Sequence, residues 1–102
     1  MVDVVTMRDI QEVLSIVRSK GLRVVFRLRG SRYMVVFERE IRALSPEGNY
    51  VAWSTAFPAP PHQVLDAYGI SAIEIYCRGE LIKQVSKWGE LVKELQLLNE
   101  CR

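Results

Sequence analysis

The sequence predicts an α+β domain: an antiparallel sheet of four to five strands built from two hairpins, with an N-terminal helix on one face and a C-terminal helix for oligomerisation. Three observations carry this. Leu22 to Arg42 alternates apolar and polar residues with period two on either side of Gly30-Ser31, the pattern of strands joined by a turn. Ile73 to Val85 reads as a second pair of strands around Arg78-Gly79. The residues after Thr6 and after Ser86 instead repeat apolar side chains at three- and four-residue steps, the period of a helix with one buried face.

In chain order, Thr6 is the N-cap of the first helix, with Asp9 where a capping box places an acid. Met7, Ile10, Val13, Leu14 and Val17 form its apolar stripe. Arg18 and Lys20 suit the negative end of the helix dipole, and Gly21 supplies a left-handed C-cap. The first hairpin follows. A two-residue link with glycine first is a type II′ signal. It pairs Leu28 with Tyr33, Phe26 with Val35 and Val24 with Phe37 on an apolar face. The other face then pairs Arg29 with Arg32, Arg27 with Met34, Val25 with Val36 and Arg23 with Glu38. A slip of one residue would bury the arginines, so the pattern defines its own register.

Ser45 to Asn49 is a turn cluster, and Tyr50 to Ala56 reads as a third strand containing Trp53. Phe57-Pro58-Ala59-Pro60-Pro61 breaks the sheet and starts a short helix, about His62 to Tyr68, which Gly69 stops. The second hairpin turns at Arg78-Gly79 through positive φ. Ser86 caps the last helix, Lys87 to about Asn99, where Trp88, Leu91, Val92, Leu95 and Leu98 make a seam. Two heptads are too short to be stable alone, so the seam either folds back on the sheet or pairs with another chain.

Composition narrows the function. The chain of 102 residues is 49% hydrophobic and 25% charged, the profile of an ordinary single globular domain. It shows no membrane-length apolar run and no signal peptide, so the expected residence is cytoplasmic. Two cysteines are too few for a structural zinc site. Cys77 reads as a buried small hydrophobe and Cys101 as a free thiol, the other option being a disulfide across an oligomer in an oxidising or hyperthermophilic setting. One histidine, His62, beside a proline pair reads as a solvated first-turn residue. No nucleophile elbow, phosphate loop or metal motif is present, so neither an enzyme nor a cofactor is expected.

Net charge is only +2, but from Arg18 to Arg42 eight bases face two acids, and arginine outnumbers lysine ten to four. Arginine both forks onto phosphate and stacks on bases. Like charges opposite each other destabilise a sheet, so the strip is either a solvated edge or a face across which an anion lies. A single-strand binder needs a positive track and flat rings. Arg23, Arg27, Arg29 and Arg32 offer the first, with Met34 set among them. Tyr33, Trp53, Tyr50 or Phe57 offers the second. Trp53 has a competing reading as a core anchor. Duplex readers are less well matched, since no helix-turn-helix, zinc finger or basic recognition helix is present.

The stretches Val-Val-Phe-Arg-Leu-Arg-Gly-Ser-Arg-Tyr, Val-Ala-Trp and Ile-Glu-Ile-Tyr-Cys-Arg-Gly-Glu-Leu, in this order between the helices, resemble the ThermoDBP-type single-stranded DNA-binding proteins of hyperthermophilic archaea and their shorter relatives. The resemblance is one of layout and spans about residues 6–99. It implies a helix-plus-antiparallel-sheet domain, a positive cleft floored by hydrophobic side chains, and oligomerisation through the C-terminal helix, as dimer or tetramer. Its binding residues fall on Arg27, Arg29, Arg32, Tyr33 and Trp53. On this reading residues 1–86 are a nucleic-acid-binding domain and 87–102 an oligomerisation helix. The ligand is single-stranded DNA, or RNA, bound without sequence preference. The alternative is a protein-interaction or regulatory subunit whose arginines meet an acidic partner.

Overall fold

A computed structural model describes residues 4–101 of the chain. Helix α1 (Met7–Lys20) opens with the expected capping box. The Asp9 N–H donates to Thr6 Oγ1 at 3.2 Å, and the Thr6 N–H donates to Asp9 Oδ2 at 3.0 Å. The helix ends at Gly21, whose φ of +64° suits a residue without a Cβ. Ile10, Val13 and Val17 are its buried stripe, while Met7 is exposed.

The sheet has six strands rather than four to five: β1 (Arg23–Leu28), β2 (Met34–Phe37), β3 (Ile41–Leu44), β4 (Tyr50–Val51), β5 (Ile70–Cys77) and β6 (Glu80–Val85). Their order is β4-β3-β2-β1-β5-β6, and every neighbouring pair is antiparallel. The β1–β2 register is the one the alternation predicts: Val24 with Phe37, Val25 with Val36, Phe26 with Val35. β3 escapes the sequence reading because Glu38-Arg39-Glu40 and Arg42 break up its apolar residues. Its period of two survives nonetheless, since Val35 pairs with Ala43 and Val36 with Arg42.

The link between β1 and β2 differs from the type II′ turn. Gly30 has no positive φ, and residues 29–33 form a longer loop. After a register shift at Arg27/Leu28, the Arg29 and Gly30 N–H groups donate to the carbonyls of Gly69 (2.9 Å) and Tyr68 (3.1 Å). The end of β1 is thus drawn towards the start of β5, and the pairs Leu28–Tyr33 and Arg29–Arg32 do not form. Gly30 has a different task from the one its sequence position indicates. A Cβ there would lie 3.0 Å from Tyr68 Cδ1, so glycine admits the tyrosine ring.

The third strand is also shorter than expected. β4 stops at Val51, and Trp53–Ala56 makes one helical turn, α2. Helix α3 (Pro61–Tyr68) starts with proline in its first turn and ends at Gly69. His62, expected to be solvated, is half-buried there. Helix α4 (Trp88–Leu97) completes the chain.

All four helical segments contribute to one cluster on one face of the sheet. Phe26, Phe37, Ile73 and Ile75 from the strands meet Val13, Val17, Val64, Leu91 and Leu95 from α1, α3 and α4. The proposed seam is therefore spent inside the chain. Leu91 and Leu95 are fully buried, and Val92 and Leu98 pack against them in part. The Trp88 ring stacks on Phe26 with centroids 5.7 Å apart. Only Leu97 projects as a large exposed apolar side chain of α4. Lys20 Nζ donates to the carbonyls of Leu95 in α4 and of Leu98 just after it, the latter at 2.6 Å.

The cysteines join within the chain. Cys77, at the end of β5, is bonded to Cys101, with Cα atoms 5.6 Å apart. Neither is the buried hydrophobe or free thiol that the sequence indicates. The pairing was hidden because nothing in a 24-residue separation says that α4 returns to the end of β5. Loop-closure entropy for such a span is about 3 kcal/mol. A Cys77→Ser/Cys101→Ser protein therefore melts about 10–20 °C below the oxidised one by calorimetry, and added reductant lowers the melting point of the natural chain but not of the variant.

Candidate nucleic-acid interface

Among the described residues no helix covers the second face of the sheet. Ladder pairs set one row across it: Arg42, Val36, Val25, Glu74 and Gln84. Arg23 pairs with Tyr76 beside this row, and Leu44 pairs with Tyr50 at the far edge. Val25, Val36 and Leu44 are buried here, with Met34 and Tyr76 packed against them. Val36 is 0% exposed although no helix lies above it. Its cover comes from the long side chains of the face itself, whose aliphatic stems and rings shield the valines while their charged ends stay out.

Those charged ends are ordered by aromatic rings. The Arg42 guanidinium carbon lies 4.1 Å from the centroid of Tyr50. That of Arg23 lies 5.9 Å from Tyr50 and 6.0 Å from Tyr76. The result is an alternating row, Arg42–Tyr50–Arg23–Tyr76, over an apolar floor. Each such contact is worth about 0.5–1 kcal/mol at an exposed site, enough to bias the side chains without immobilising them. Among the described residues Arg23 makes no ion pair or side-chain hydrogen bond, and its buried Nε has no partner.

Arg27 behaves differently. Its Nε donates to Glu74 Oε2 at 3.0 Å, and the Tyr76 hydroxyl donates to Glu74 Oε1 at 2.9 Å. Glu74 is 9% exposed, so both of its oxygens are satisfied by this pair. The hydrogen bond to Glu74 holds Arg27 more firmly charged than usual. The same carboxylate, chiefly through its hydrogen bond and secondarily with the help of burial, raises the Tyr76 pKa above that of a free phenol. Arg27 is thus partly neutralised by the protein's own acid, and Tyr76 is fixed in place by it.

Next to Tyr76 is the β5–β6 turn. Arg78 and Gly79 have φ of +54° and +79°, the positive-φ pair expected for a two-residue hairpin link. Asparagine or glycine fits the first position well, and a residue with a longer side chain is held there at a cost of roughly 1 kcal/mol. Arg78 lines a cleft of about 480 Å³ together with Arg23, Glu38, Tyr50 and Tyr76.

The sequence-predicted residues divide. Arg23, Arg27 and Met34 lie on the open face. Arg29 lies past the bulge and lines a different cleft, with Asp66, Lys87 and Trp88 at the start of α4. Arg32 is exposed in the 29–33 loop. Tyr33 packs edge-on against Phe57 at 6.3 Å, on the core side. Trp53 is a core anchor: its ring lies 4.8 Å from Phe57, and its indole N–H donates to the Ala59 carbonyl at 2.7 Å. Phe57 is itself buried. Neither Tyr33, Trp53 nor Phe57 presents a ring beside the guanidiniums.

Comparison with protein-family models, with curated proteins and with solved structures returns no match to this chain. The fold and the side chains on the open face therefore carry the functional reading by themselves. Two members of the face were missed by sequence reasoning, Arg42 and Tyr76, as was Arg78 in the turn beside it. The first two had a signal, since each alternates with core residues of its strand. The third had none, because a turn arginine ordinarily reads as solvated.

Proposed function

We propose that the protein binds single-stranded nucleic acid, DNA in the first instance, on the helix-free face of its sheet. The observation that carries this is the row Arg42–Tyr50–Arg23–Tyr76. It alternates cations with aromatic rings over buried valines, and among the described residues two of its guanidiniums form no ion pair. A single strand alternates in the same way, a phosphate and a flat base per nucleotide, and stacking on rings is indifferent to base identity. The reading is of a binding protein without a chemical step. The resemblance in layout to ThermoDBP-type proteins implies the same class of ligand, but on other residues: those it places on the first hairpin and on Trp53 are not the ones assigned here.

Titration of oligo-dT at several salt concentrations tests it. The expected result is a log–log slope of about −0.7 for each phosphate neutralised, two to three in all for Arg23, Arg42 and the partly paired Arg27. Tyr50→Ala and Tyr76→Ala each weaken binding by about 1–3 kcal/mol. Absence of binding at low salt, or retention of a protein partner from a nuclease-treated extract in its place, contradicts the proposal.

A further inference from the structure

We infer that the cleft at the end of the open face holds a terminal phosphate monoester of the bound strand, at its 5′ or its 3′ end. This rests on the proposed binding of single strands to that face. The cleft lies where β1 begins at Arg23 and β5 ends at Cys77, so a strand running along the face reaches the margin of the sheet there. The Arg78-Gly79 turn and Gly21 wall it on that side.

Charge distinguishes an end from an internal linkage. An internal phosphodiester carries one negative charge, whereas a monoester carries between 1.5 and 2 at about neutral pH, together with three terminal oxygens. Two guanidiniums, Arg23 and Arg78, border this one cleft, and neither has an ion pair among the described residues. The Arg23 Nε is buried and has no hydrogen-bond partner among the described residues, so an anion in the cleft meets the terminal nitrogens of this guanidinium. Arginine forks are the usual partners of phosphate oxygens, and two arginines border this cleft. The position of Arg78 adds to this. A turn that favours asparagine or glycine carries an arginine with φ of +54° at the mouth of the cleft. Tyr50 and Tyr76, on either side of Arg23, supply rings for the last base. Among the described residues Glu38 is the one acid lining the cleft, and it opposes the anion.

The test compares three oligo-dT strands of about eight nucleotides, with a free end, a 5′-phosphate or a 3′-phosphate, by fluorescence anisotropy. One phosphorylated strand binds about tenfold tighter than the free-ended one, and the end that gains reports the direction of the strand. Arg78→Gly, which suits the backbone at that position, keeps the affinity for the free-ended strand and loses the gain. Glu38→Gln enlarges the gain about threefold. No histidine lines the cleft. A rise in the gain between about pH 5.5 and 7.5 therefore belongs to the second ionisation of the monoester, near pH 6. Equal affinity for all three strands, or a gain that survives in Arg78→Gly, overturns the inference and leaves the binding face standing. Failure of every strand to bind overturns the face and the cleft together.

Discussion

Replacing Arg23 and Arg42 together by glutamate lowers affinity for oligo-dT by about 100-fold or more at low salt and removes about two phosphates from the salt slope. Two favourable contacts are lost and two unfavourable ones created, and about 3 kcal/mol corresponds to that factor. The melting temperature moves by only a few degrees, because neither side chain belongs to the buried core and their ring contacts are weak. The informative control is the same reversal at Arg29 and Arg32. These two belong to the same run of arginines in the sequence, yet they lie beyond the bulge and in the 29–33 loop. Their double reversal changes affinity by no more than about fivefold, the long-range effect of net charge alone. If the two double variants lose binding equally, the basic segment acts as a diffuse cloud and the ordered row has no special part.

The second large effect concerns stability. Leu95→Ala costs about 2–5 kcal/mol, since Leu95 is fully buried beneath the sheet. The melting point falls by about 10–30 °C. Its dependence on protein concentration is the sharper readout. A seam that pairs two chains gives a melting point that rises with concentration. A helix buried in its own core gives one that does not, and that is the expected result for the natural chain and the variant alike. Trp88, stacked on Phe26, supports the same expectation.

What was legible in the sequence was mostly local. The capping box of Thr6 and Asp9, the left-handed Gly21, the Arg78-Gly79 turn and the Val24–Phe37 register each depend on residues close in the chain, and each is present. What failed depended on contacts distant in sequence. β1 pairs with β5 as well as β2, and this draws Arg29 and Gly30 away from the turn their spacing indicates. Gly30 sits under Tyr68 and Trp53 bonds to Ala59, so both answer to packing rather than to a strand pattern. The Cys77–Cys101 bond could not be read before α4 was known to fold back.

The proposed binding face was half legible for the same reason. Alternation placed Arg23, Arg27 and Met34 on the outer face correctly. It could not show that Glu74, on another strand, engages Arg27, nor that Tyr50 and Tyr76 close around Arg23 from opposite sides. The expected arginine strip along one hairpin is, in the folded chain, a row that crosses the sheet and draws on four strands. The rings come from tyrosine. Both tryptophans serve the helix side.

That division sets up the most direct test, an NMR titration of the protein with oligo-dT that follows backbone amides and the two indole N–H signals. The account predicts shifts concentrated at Arg23, Val25, Val36, Arg42, Tyr50 and Tyr76, with the indoles of Trp53 and Trp88 unmoved. Shifts centred on residues 29–33, Tyr33 and Trp53, with the Arg23–Tyr76 row silent, would contradict it.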